Sequence, residues 1–131
     1  MNKRTSSFDQ GVEVFAARDY KGAVSLFEAA TRESADDYES FVYLGVAYSH
    51  LGRYNAAIGA LKRASEIRPN SPVVHYNLGQ AYEAAGVPDE AWSEYSMAMS
   101  IDPMYARAKN AMESLSERLP GLTSTGIELG Q

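Results

Sequence analysis

YESFVYLGVAYSHLGRYNAAIGALKRASEIRPNS, residues 38–71, returns almost place for place thirty-four residues later. Leu44 and Gly45 become Leu78 and Gly79, Tyr48 becomes Tyr82, Gly52 becomes Gly86, Ala57 becomes Ala91, Ala64 becomes Ala98, Ile67 becomes Ile101, and Pro69 becomes Pro103. So many matches at one period mark an internal repeat. Shifted back by the same period, Gly11, Tyr20, Ala23, Phe27 and Ala30 fall at the matching places, whereas Ser7, Gln10, Val14 and Ala35 do not.

A period of this length, carrying Leu-Gly-x-x-Tyr, then Ala, an aromatic or Leu, Ala and Pro, resembles the tetratricopeptide repeat, a helix-turn-helix unit. The resemblance implies an all-α fold, a right-handed superhelix (α-solenoid) of three such units over residues 4–37, 38–71 and 72–105. A capping helix over 106–119 closes the array. Residues 1–3 are expected to be a flexible leader, and 120–131, rich in Gly, Ser and Thr, a disordered tail.

Local signals agree with these divisions. A first helix over 5–17 turns at Arg18-Asp19 into a second over 20–32, and Gly11 and Ala23 are the small residues that would let the two backbones approach. Asp36 or Asp37 can cap the helix that follows by accepting a backbone hydrogen bond. From 38 to 51 the residues Phe41, Leu44, Tyr48 and Leu51 form one apolar stripe at helical spacing. Gly52-Arg53 turns the chain, and Ala57, Ile58, Leu61, Ala64 and Ile67 face inward on the return until Pro69-Asn70 ends it. Ser71 before Pro72 reads as an N-cap and first helical residue. His75, Leu78, Tyr82 and Ala85 continue the core, Gly86-Val87 turns, and Pro88 opens a helix whose large apolar groups are Trp92 and Tyr95. In the last helix Ala108, Met112 and Leu115 lie on one side and Arg107, Lys109, Asn110, Glu113 and Glu117 on the rest, the pattern that an end cap requires.

Composition narrows the function. The chain has 131 residues, 12 Lys plus Arg against 17 Asp plus Glu, and no cysteine. That length suits one domain or one repeat array. The acidic balance argues against a surface that tracks nucleic-acid phosphates or anionic lipid. The absence of cysteine removes disulfides, thiolate metal sites and cysteine nucleophiles. No apolar run approaches the roughly 18 residues of a membrane helix, and MNKRTSSFDQ lacks the apolar segment of a secretory signal, so membrane insertion is not expected and a cytoplasmic location is. Two histidines stand alone. His50 and His75 belong to no metal-ligand spacing and no nucleophile motif, and His75 reads as a packed, hydrogen-bonded group. Gly79 and Gly86 enclose no phosphate loop. No enzymatic activity, cofactor or metal is therefore expected.

Function should lie on the face of each first helix that the pair does not consume. At about 100° per residue, that face carries Phe8, Val12 and Phe15 in the first repeat, and Glu39, Val42, Tyr43, Val46 and His50 in the second. In the third it carries Val73, Tyr76, Asn77, Gln80 and Glu83, with Arg107 at the rim. In the family this chain resembles, these faces line a concave groove that binds peptides. The apolar floor and polar edge suit an apolar helical or extended segment of a partner protein. Packing of these side chains across neighbouring first helices is the competing reading of the same residues.

The co-chaperone branch of the family grips the terminal carboxylate of heat-shock chaperones with Lys, Asn and Arg. The matching places here hold Phe8, Val12, Tyr43, Val73 and Asn77, so no cationic carboxylate clamp is present. The resemblance thus points to a protein-protein adaptor or chaperone-like scaffold. The alternative is a self-assembling scaffold, a homodimer through the Phe8, Val12 and Phe15 stripe. The tail, through Leu122, Ile127 and Leu129, is a third candidate occupant of the groove.

Overall fold

The computed structural model describes residues 6–121, and the leader at 1–3 and tail residues 122–131 lie outside them. The described chain contains seven α-helices: α1 (Ser6–Ala16), α2 (Tyr20–Glu33), α3 (Tyr38–His50), α4 (Tyr54–Ile67), α5 (Pro72–Ala84), α6 (Pro88–Ile101) and α7 (Ala106–Arg118). They pair as the repeat predicts, α1 with α2, α3 with α4 and α5 with α6, with α7 against α6. Two compact units result, divided between Arg68 and Pro69. The first holds two repeats, in which α2 packs against both α1 and α3. The second holds the third repeat and α7, with α6 packed against both α5 and α7.

The starts of α2, α3 and α5 are fixed by short polar side chains that satisfy unpaired backbone donors. Asp19 accepts from Gly22 N at 3.0 Å at the start of α2. Of the two candidate aspartates before α3, Asp37 is the cap: it accepts from Ser40 N at 3.4 Å and from Ser40 Oγ at 2.7 Å, which satisfies a fully buried serine. Ser71 accepts from Val74 N at 3.4 Å, and Pro72 follows it as the first helical residue. The turns inside the pairs share one left-handed residue a period apart, Arg18 (φ 67°), Gly52 (φ 76°) and Gly86 (φ 83°). Arginine bears a cost of about 1 kcal/mol at the place where the other two repeats use glycine.

The repeat's glycines have a more specific role than close backbone approach. A Cβ at Gly11 would lie 2.8 Å from the Phe27 ring, at Gly45 2.5 Å from Leu61, and at Gly79 2.4 Å from the Tyr95 ring. Phe27, Leu61 and Tyr95 occupy one repeat position and are all but fully buried. Each glycine is thus a seat for a large, buried side chain of the second helix, which corrects the expectation that the two backbones meet there. The alanines of the same helices, Ala23, Ala57 and Ala91, then Ala30, Ala64 and Ala98, are completely buried. In α7, Ala108 and Leu115 face the core beside a partly buried Met112, as an end cap requires.

Candidate functional site

In the first unit the face built by α1 and α3 is largely aromatic, and the rings pack against one another. Tyr43 of α3 stacks on Phe27 of α2 at 5.0 Å between centroids, with an interplanar angle of 11°. It also meets Phe8 at 6.0 Å and Phe15 at 5.2 Å, both edge to face. Phe8 contacts Phe27 at 5.9 Å and is only 8% exposed. Such pairs gain energy beyond the area that they bury. Phe8 therefore belongs to the core, and its assignment as a groove-lining contact is corrected. A ring at this place on α1 points at the neighbouring first helix, and α3 supplies Tyr43 to receive it.

Phe15 and His50 extend this array. Phe15 meets Tyr20 edge to face at 5.4 Å, and the exposed His50 ring stacks on Tyr20 at 4.1 Å and 3°. Val12, Val42 and Val46 remain half-buried, and Glu39 is exposed. The self-assembly stripe of Phe8, Val12 and Phe15 thus loses its first member to the core and much of its third to Tyr20 and Tyr43.

The second unit presents a different surface. Val73 on α5 is 40% exposed. Tyr76 is half-buried, 5.9 Å from both the Tyr95 and the Tyr105 rings. Asn77 Nδ2 donates to the Val73 carbonyl at 3.0 Å, which turns its amide onto its own helix. Gln80 and Glu83 serve the core. Gln80 Nε2 donates to the Tyr95 hydroxyl at 2.6 Å, and that hydroxyl donates to Glu83 Oε1 at 2.7 Å. Burial first, and then the Glu83 contact, raises the Tyr95 pKa well above its ordinary value. The other Glu83 oxygen accepts from Arg118 of α7, so one polar chain ties α5, α6 and α7 together. Arg107, the cation expected at the rim, is exposed, and Arg118 is the one that reaches Glu83. In the first unit Tyr48 donates to Glu28 in the same manner, and burial followed by that contact pushes its pKa up to about 12.

His75 is packed and bonded at both ring nitrogens. Nδ1 lies 2.8 Å from Glu94 Oε1, and Nε2 lies 2.8 Å from the Pro69 carbonyl. Both neighbours are acceptors, so the doubly protonated ring satisfies both. The Glu94 bond raises the pKa above 6.5, burial opposes the rise, and the Pro69 carbonyl adds to it. A raised folded-state pKa means that the stabilisation is full below the unfolded value and is lost as pH climbs through the folded one. The parent is accordingly expected to have a higher urea midpoint at pH 6 than at pH 8.5. His75→Gln should lose about 1 kcal/mol at pH 6 and most of that pH dependence. An unchanged difference between the two pH values in the variant would assign the effect elsewhere.

Among the described residues no helix is long and apolar enough to cross a membrane, and no group of three or more His, Asp or Glu could hold a metal ion.

Comparison with known proteins agrees with this architecture. A family profile described as TPR repeat matches residues 45–86. Small glutamine-rich tetratricopeptide repeat-containing protein 2 of Mycosarcoma maydis is 26% identical over 116 residues, which is 88% of this chain and 33% of that protein. The chain spans a third or less of the length of the first curated relatives that it matches. Among solved structures, the first TPR of Spaghetti (RPAP3) bound to HSP90 peptide SRMEEVD superposes with a TM-score of 0.83 at 18% identity, covering 87% of this chain and 90% of that one. The Yersinia enterocolitica type III secretion chaperone SycD in complex with a peptide of the translocator YopD superposes with a TM-score of 0.80 at 17% identity, covering 86% and 91%. At these identities the structural likeness establishes the fold, an all-α tetratricopeptide-repeat solenoid.

Proposed function

We propose that this tetratricopeptide-repeat chain is a protein-interaction module, an adaptor or chaperone-like scaffold that holds an apolar helical or extended segment of a partner against its first helices. The observation that carries this reading is the incomplete burial of Val73, 40% exposed on α5. The half-buried Val12, Val42 and Val46 occupy the same expected face on α1 and α3. Accessible apolar groups on rigid elements suit the apolar side of a helix or the alternate side chains of a strand. The glycine seats and ring contacts hold these helices in place before a ligand arrives. Little ordering entropy is then lost on association, and a short segment can be held at micromolar strength, about 8 kcal/mol. The function is binding without turnover.

The partner's chemistry is apolar in this reading. Where the co-chaperone branch has Lys, Asn and Arg, Phe8 lies in the core, Val12, Tyr43 and Val73 are uncharged, and Asn77 is turned onto its own helix. A peptide carboxylate would lose its charge-assisted partners there. The heat-shock peptide in the Spaghetti (RPAP3) complex is thus not the ligand proposed here.

Fluorescence anisotropy against labelled apolar peptides, with SRMEEVD as comparison, tests this directly. The parent should bind members of the apolar set and leave SRMEEVD free. Val46→Glu and Val73→Glu should each weaken binding at least about tenfold, or about 1.4 kcal/mol, with unchanged helical circular dichroism. Parent-like affinity in both variants would remove these faces as the site, and tight binding of SRMEEVD would overturn the apolar assignment.

A further inference from the structure

On the second unit, α6 and α7 enclose an open cleft of about 510 Å³. Trp92 and Met99 of α6 line it, together with Lys109, Met112, Glu113 and Glu117 of α7. Along α7 these fall at i, i+3, i+4 and i+8, one stripe beside the Ala108 and Leu115 that face the core. Met99 and Met112 are half-buried, and the three charged side chains are exposed, with no ion pair among the described residues. Trp92 is only 6% exposed, and its indole Nε1–H is buried with no acceptor among the described residues. A buried donor needs a partner, and the flexible thioether side chains beside it can shift to admit one.

We infer that a second copy of this chain occupies the cleft, with α7 antiparallel to α7 about a two-fold axis at Glu113. The order of charges on α7 selects this occupant. Lys109 and Glu117 lie four residues to either side of Glu113, about 6 Å along the helix in each direction. An antiparallel two-fold partner therefore sets Lys109 of each copy opposite Glu117 of the other, as a self-complementary interface requires. Helices α6 and α7 of both copies then form a four-helix bundle with Trp92, Met99 and Met112 inside it. The Ser116 hydroxyl and the carboxylates of the second copy's α7 are the acceptors that it brings to the Trp92 N–H. The association is weak, for two reasons. The axis sets the two Glu113 carboxylates against each other, a like-charge contact that opposes docking. The two-helix face, about 20 Å long and about 18 Å wide, is also smaller than the roughly 800 Å² per partner of a standard interface. This joint uses none of the first-helix residues proposed to hold a partner segment, so a dimer presents two such faces and gains avidity for a partner carrying two segments.

Sedimentation velocity of the full chain over about a hundredfold range of concentration, micromolar upward, tests the inference. The parent should pass from monomer to dimer. Lys109→Glu should weaken association at least about tenfold, and Lys109→Glu combined with Glu117→Lys should restore it, because a two-fold joint merely exchanges the two charges. Glu113→Gln should tighten it several-fold, and helical circular dichroism should be the same in all variants. Trp92 is the only tryptophan in the chain and gives one indole N–H resonance, which should exchange with solvent about tenfold more slowly in the dimer. A parent that stays monomeric throughout overturns the inference. So does a dimer whose affinity ignores these charge changes, which would place the contact elsewhere. Indole exchange equally slow in the monomer would put the acceptor within one copy and remove this cleft as the joint.

Discussion

Gly79→Leu is expected to lower unfolding stability by about 3 kcal/mol, at the upper end for overpacking a well-filled core. Even a methyl group there would lie 2.4 Å from Tyr95 Cε1 and 2.5 Å from Cδ1. The ring cannot move away cheaply. Tyr95 is fully buried, and its hydroxyl is held between Gln80 and Glu83, with Glu83 held in turn by Arg118. Displacing the ring would therefore break a buried polar chain as well as its packing. Gly45→Leu meets Leu61, a side chain with no polar anchor, and should cost less. Gly59→Ala is the control of opposite sign: a Cβ there meets nothing within 4 Å in the interior of α4, so alanine should stabilise by up to about 1 kcal/mol. Urea midpoints followed by far-ultraviolet circular dichroism give the ranking. A Gly79→Leu midpoint equal to the parent's would mean that Tyr95 does not sit on this glycine.

The helix order was legible because the period placed every seat and its occupant together. Gly11, Gly45 and Gly79 recur in step with Phe27, Leu61 and Tyr95, and the turns recur in step with Gly52 and Gly86. Arg18 shows the limit of composition as a guide, since its left-handed conformation at the first turn is dictated by the repeat and opposed by the residue. The helix limits expected from capping and proline also agree with the structure within a residue at each end. These signals are local, and each depends on chemistry within a few residues of itself.

The candidate face was legible only in part. Helical angle assigns Phe8, Phe15 and Tyr43 to one side of their helices, but a helix in a layered array has neighbours on more than one side. Which side a ring uses depends on the partner that meets it, here Tyr43 against Phe8, Phe15 and Phe27. The polar contacts were illegible for a related reason. Glu28 with Tyr48, His75 with Glu94, and Glu83 with Arg118 lie 20, 19 and 35 residues apart, follow no repeat spacing, and depend on side-chain reach across packed helices.

Phe8→Asp is expected to unfold the first helix pair instead of merely altering a surface. The ring is packed 5.9 Å from Phe27 and 6.0 Å from Tyr43 with 8% of its surface exposed. Removing a buried phenylalanine costs about 3 to 5 kcal/mol, and a carboxylate in its place adds a desolvation penalty. Among the described helices α1 packs chiefly against α2, so the loss should fall on α1 and α2 before the later repeats. Circular dichroism should show a partial loss of helix, and amide exchange should show the loss confined to the first pair. Val12→Asp, at a half-buried place on the same helix, should cost less than Phe8→Asp and keep the helix. The contrast separates packing from self-assembly. If Phe8→Asp keeps full helicity and stability while light scattering shows a parent dimer falling to monomers, then Phe8 faces a second copy, and the ring array of the first unit is an interface that the isolated chain has closed on itself.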